Sequence, residues 1–233
     1  MDTQTRHALK QDRLVDATRT SVDWFQDNRS TVVRSCAAAI ICIALAIAGL
    51  VVYSKRSAAA DLGFGAAMDT YNAPLAQPGQ PATPGERTFA TAAARASQAN
   101  QQFVQIANQY GFFEAGKTAR YFAGLTAIDL GQTGPAETYL TKVADSRDAA
   151  LASLAKLALA NLYQQTNRNS QAVVLYNQLI AKPTNTVPAD AARLQLASLY
   201  EKTNPAGANR IYAQLKSSKS AAGQIATQKL QQK

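Results

Sequence analysis

Histidine occurs once in the 233 residues, at His7, and cysteine twice, at Cys36 and Cys42. A single histidine in a polar N-terminal stretch leaves no pair for a metal and no Ser/His or Cys/His arrangement downstream. His7 reads as a solvated surface residue. Both cysteines lie inside one apolar run, six positions apart, which turns them to different faces of a helix; each reads as a small apolar residue. No disulfide is expected beyond that run. A Gly-Lys-Ser/Thr phosphate loop is lacking, and the lone Gly63-Phe64-Gly65 follows no strand pattern, so it reads as a close helix approach or a kink. Carboxylate pairs such as Asp145 and Asp148 flank an inter-helix loop, where capping accounts for them. No catalytic residue, metal ligand or cofactor is expected, and the chain reads as a non-enzyme.

Apolar residues make up 47% of the chain. Ala and Leu dominate them, and with Gln, Lys and Arg recurring from residue 86 onward the composition favours helix over strand. An all-α protein is expected. The formal charge is +9, yet the basic residues are scattered singly along helical segments and form no aromatic-interleaved blocks, so nucleic acid is not an expected partner.

The run Ser35–Tyr53, SCAAAIICIALAIAGLVVY, holds no charge. As a helix it reaches roughly 28 Å, enough for a bilayer core. Arg29 and Arg34 precede it and Lys55 and Arg56 follow, placed to snorkel toward headgroups, with Trp24 and Phe25 as an interfacial anchor. A buried core helix rarely stays uncharged for so long between basic pairs, and the polar stretch before the run is too long for an ordinary signal-peptide n-region. A transmembrane helix over 35–53 is the expectation. Arg6, Lys10, Arg13, Arg19, Arg29 and Arg34 before the run outnumber Lys55, Arg56 and Arg87 after it, which predicts a cytoplasmic segment 1–34 and export of the rest.

Residues 54–73 keep a helix-compatible composition and are expected as a stalk. Four prolines in 74–85 predict a Pro/Gly-rich loop. From Glu86 a helix is expected, with Phe89, Ala93, Ala96, Asn100, Phe103, Ile106 and Tyr110 as one stripe and Gly111 as its stop. Further breakers fall at Gly131–Pro135, Asp145–Asp148, Thr166–Ser170, Lys182–Pro188 and Thr203–Gly207, separating helices sized for antiparallel hairpins. These hairpins repeat. Leu159-Ala160-Asn161-Leu162-Tyr163, then Ala172, Tyr176 and Leu179, returns 36 or 37 residues later as Leu196-Ala197-Ser198-Leu199-Tyr200, Ala208, Tyr212 and Leu215; Gly124, Ala136, Leu140 and Val143 form an earlier copy. Small residues at 124, 160 and 197 let helices approach, and the large ones fill the space between layers. The repeat region is drawn over 86–216, followed by a basic C-terminal tail over 217–233.

The small-x-x-Tyr and Ala-x-x-x-Tyr/Leu spacing resembles tetratricopeptide repeats, with a period slightly over the usual 34 and without their Trp. The wider layout, Trp24-Phe25 and Asn28 before one span, an Ala-rich exit, the Phe103–Gly111 helix end and repeats from Lys117-Thr118-Ala119, resembles the bacterial ancillary subunit of the Sec translocon, the YfgM-like family. The resemblance implies an inner-membrane protein with a periplasmic helical-hairpin solenoid. Its implied partners are other proteins, either the translocon or exported client segments, in a chaperone-like role. The positions one, four and five after each small residue are then implied to face a concave binding side: Leu125, Ile128 and Asp129; Asn161, Gln164 and Gln165; Ser198, Glu201 and Lys202; with Tyr121 beside them. The alternative is a structural tether whose repeats only self-associate as a homo-oligomer.

Overall fold

The computed structural model describes residues 28–76 and 87–232. His7, Trp24-Phe25, the basic residues before Arg29, Glu86 and most of the Pro/Gly-rich loop lie outside the described residues. The described residues form helices joined by short turns, and their only bridge of β type pairs Leu75 with Phe89. The chain divides into two units, residues 1–55 and 56–233.

Helix α1 runs Arg29–Asn72. Within the first unit all its side chains but the half-buried Val32 are exposed, including Ile40, Leu45, Ile47 and Leu50. An 18-residue window of mean hydropathy 2.7 makes it long and apolar enough to cross a membrane. Cys36 and Cys42 are free and exposed along it.

The second unit begins inside α1. Here the stalk reading changes: Ala60, Ala67 and Thr70 are buried, and Ala67 packs in one cluster with Ala99, Phe103 and Ile106 of α2 (Ala92–Gln109). Gly63 sits against Ile106, and Phe64 and Tyr71 meet Phe103 and Phe122 with ring centroids 5.8 to 6.1 Å apart. Offset and edge-on aromatic pairs of this kind add to burial by about 0.5 to 1.5 kcal/mol each. The helix expected from Glu86 starts later. Phe89 is paired backbone to backbone with Pro74 and Ala76, and Thr91 caps α2 by accepting from the Ala94 amide.

Beyond α2 the helices come in pairs: α3 (Glu114–Asp129) with α4 (Thr133–Ala144), α5 (Ala149–Gln165) with α6 (Asn169–Ala181), and α7 (Ala189–Thr203) with α8 (Pro205–Leu215). The second helices start 36 residues apart, at 133, 169 and 205. Equivalent positions are buried in each: Ala136, Ala172 and Ala208; Leu140, Tyr176 and Tyr212; Val143, Leu179 and Leu215. The turns after α3 and α5 share one geometry. Gly131 and Asn167 both take left-handed backbone, φ 70° and 60°. The following amides, of Gln132 and Arg168, reach back to the carbonyls of Ala127 and Tyr163, which closes a Schellman cap.

The basic tail expected over 217–233 is packed structure over its described residues, 217–232. Ser220 caps a further helix, α9 (Ala221–Gln231), which buries Ala222 and Ala226 against Ala208, Tyr212 and Leu215. The sequence-drawn end at 216 falls inside this packing because the Lys and Gln residues of α9 occupy only its outer face.

Candidate functional site

The first helices of successive pairs are not equally close. Helix α3 packs directly on α5, and α7 on α9, whereas α5 and α7 share a buried cluster through α6 and face each other across a groove. The connecting loops account for this: residues 182–188 between α6 and α7 form a longer link than residues 145–148 between α4 and α5. That loop is tied to the first turn of α5, where Thr186 donates to the Ala150 carbonyl at 3.0 Å and the Ser153 hydroxyl lies 2.7 Å from Thr184.

The groove encloses about 430 Å³, within the range of about 300 to 1,000 Å³ common for ligand sites. Asn161, Gln164 and Gln165 of α5 form one wall, and Gln195, Leu199, Lys202 and Thr203 of α7 the other. Asn167 and Asn169 close one end from the α5–α6 turn. The lining is thus rich in carboxamides, with one lysine and no carboxylate.

Tyr176 sets the orientation of two of these amides. Its side chain is fully buried, and its single hydroxyl proton goes to Asn161 Oδ1 at 2.7 Å, shared with the longer contact to Gln164 Oε1 at 3.3 Å. Burial pushes this phenol up to about 12, so it stays a neutral donor at any physiological pH. With their oxygens held by Tyr176, the two amides keep their NH2 groups for the groove. At the end of the α5 wall, Arg168 lies 4.3 Å above the Tyr163 ring and pairs with Glu137 at 2.8 Å, while Tyr163 donates to the same carboxylate at 2.8 Å. Burial raises the Glu137 carboxyl, but the hydrogen bonds from Arg168 and Tyr163 and the Arg168 charge outweigh it, leaving it below its ordinary value.

Of the ten residues marked from sequence, Asn161, Gln164, Gln165 and Lys202 come together here. The other six do not join them. Tyr121, Leu125 and Ile128 are half-buried on α3 against the cluster of Leu140, Val143, Leu151 and Leu159. Asp129 ends α3; desolvation raises its carboxyl against the pull of the Arg95 charge. Ser198 is exposed. Glu201 accepts from the Tyr212 hydroxyl at 2.9 Å and pairs with Lys229 of α9 at 3.1 Å. Burial, then the Glu201 bond, pushes the Tyr212 phenol far up.

Equivalent offsets on successive first helices select the same face of each. On α3 that face meets the α5 core; on α7 Glu201 is held by Tyr212 and by Lys229 of α9, Ser198 is exposed and Lys202 reaches the groove, whereas on α5 all three positions line it. The opposing wall, Gln195, Leu199 and Thr203, lies on the other side of α7 and escapes a rule based on equivalent offsets. A signal for it exists in the sequence: 195, 199 and 202 follow the four-then-three spacing of a single helix stripe.

Compared against known protein families, curated proteins and solved structures, the chain matches none.

Proposed function

We propose that this protein is a membrane-anchored, tetratricopeptide-like binding module whose α5–α7 groove holds an extended segment of another protein. The carboxamide lining carries the reading. An extended chain offers one N–H and one C=O per residue, and each Asn or Gln side chain supplies both a donor and an acceptor, so such a groove pairs with main chain largely irrespective of client sequence. The 36-residue recurrence of buried positions supports the repeat assignment. The exposed apolar stretch of α1 supports the anchor over 35–53. With the basic segment 1–34 in the cytoplasm, the second unit would lie in the periplasm of a bacterium, and an accessory, chaperone-like place beside the export translocon follows from the resemblance.

The test uses the full chain in living bacteria, with a photo-crosslinking residue at Gln165 or Gln195 and, as control, at Lys142, which is exposed on α4 and does not line the groove. Capture of another protein at the two groove positions and not at Lys142 is expected. Equal capture at Lys142 refutes the groove as the binding face, and capture of this chain alone favours the self-associating tether.

A further inference from the structure

A second cleft, of about 470 Å³, lies between the α4–α5 turn, the first half of α5 and the chain leaving α6. Arg147, Lys156 and Lys182 line it, and no carboxylate does. None of the three side chains makes an ion pair or hydrogen bond among the described residues. The acids nearest in sequence do not line it: Asp145 ends α4, and the Asp148 carboxylate accepts from the Ala150 and Leu151 amides as the cap of α5. Three unpaired cations around one concavity repel one another and focus a positive potential into it.

The polar floor adds a second observation. Ser146 lines the cleft, and its hydroxyl oxygen is buried without any hydrogen-bond partner, an arrangement native structures rarely leave unfilled. Ser153 and Thr184 line it as well, but their hydroxyls are engaged with each other at 2.7 Å. Ser146 is therefore the free hydroxyl donor at a site whose charges all have one sign.

We propose that this cleft binds a phosphate-type oxyanion, with Ser146 turning its buried hydroxyl toward one oxygen and Arg147, Lys156 and Lys182 neutralising the others. Arg147 supplies the planar fork suited to two oxygens of one phosphate, and the lysines act as point charges. Its volume leaves room beyond a single phosphate. The anion's source is either a soluble phosphate ester or the headgroup of an anionic lipid.

The experiment is calorimetric titration of the full chain, held in zwitterionic lipid nanodiscs at low ionic strength, with inorganic pyrophosphate. Saturable binding is expected, weakened about tenfold by Arg147→Gln or Lys182→Gln and about fivefold by Ser146→Ala. Lys142→Gln should leave it unchanged. Arg147 and Lys182 are exposed, so unchanged helicity and melting should accompany their substitution. Competition by added phosphatidylglycerol vesicles assigns the site to a lipid headgroup, and its absence to a soluble anion. No saturable heat, or a triple Arg147→Gln/Lys156→Gln/Lys182→Gln variant that binds like the parent, overturns the proposal, as does a Ser146→Ala variant indistinguishable from it.

Discussion

At the scale of the residue, single atoms decide several close approaches. A Cβ on Gly116 would stand 1.9 Å from the Tyr110 carbonyl oxygen, a backbone atom that cannot swing aside. Gly116→Ala is expected to destabilise the second unit by about 1 to 3 kcal/mol through overpacking, read by urea denaturation. The two Schellman turns respond in opposite senses to glycine. Gly131→Ala forces a Cβ into left-handed backbone and should cost about 1 kcal/mol, whereas Asn167→Gly relieves that strain and should cost nothing, apart from the amide it removes from the groove. Ser146→Ala deletes an unpartnered buried hydroxyl. Without anion, it is expected to leave melting unchanged or to raise stability by up to about 1 kcal/mol.

The behaviour of whole elements rests on a few polar ties between helices. Asp190, at the start of α7, accepts from Ser218 at 2.6 Å and Ser220 at 3.2 Å in the link to α9, and pairs with Arg193 at 2.9 Å. The Ser218 bond, with those from Arg193 and Ser220 and the Arg193 charge, outweighs burial and holds the carboxyl below its ordinary value. A depressed carboxyl stabilises the fold above its unfolded pKa, near 4, and loses that contribution as pH falls through the lower folded value. Glu137 acts in the same sense between α4 and α5. Both are partly solvated, so each should contribute less than about 1 kcal/mol. Thermal melts from pH 6 down to pH 3 should show stability falling across this window, and Asp190→Asn should flatten part of the fall. Deleting residues 217–232 removes α9 and bares the small-residue face of α8 around Ala208 and Leu215. A lower melting temperature is expected for that deletion; an unchanged one would mean that α9 adds nothing to the stack.

For the molecule as a whole, the first unit presents exposed apolar side chains along α1, whereas the second buries its apolar residues in clusters between helices. Alkaline phosphatase fused after residue 233 should be active in a bacterial host, since the basic excess lies before the apolar stretch of α1. A silent phosphatase with a fluorescent cytoplasmic reporter at the same position would reverse the orientation. Within the second unit, Ala160 has no accessible surface and packs with Ala172 and Tyr176. Ala160→Leu should therefore overpack that pair, costing about 1 to 3 kcal/mol, and displace the α5 wall of the groove, so lost stability and lost crosslinking should appear together.

Periodicity alone told where the helices pair. Ala136, Ala172 and Ala208, with Leu140, Tyr176 and Tyr212, recur at the spacing that places them on one buried face, and the uncharged run from Ser35 to Tyr53 is legible without any tertiary contact. Asn161, Gln164, Gln165 and Lys202 were marked through the family resemblance, at offsets of one, four or five from a small residue. What the tertiary structure decided is which polar faces are covered. Leu125 and Glu201 obey the same offset rule as Asn161, yet α5 and α9 cover them, and the α5 face stays open because the loop 182–188 anchors on Ala150 and Ser153. The cationic cleft has the same origin: Arg147, Lys156 and Lys182 are scattered in sequence, and two loop ends bring them together. A repeat fixes the direction each side chain leaves its own helix, but whether a neighbour stands there depends on loop lengths and on contacts between segments distant in the chain.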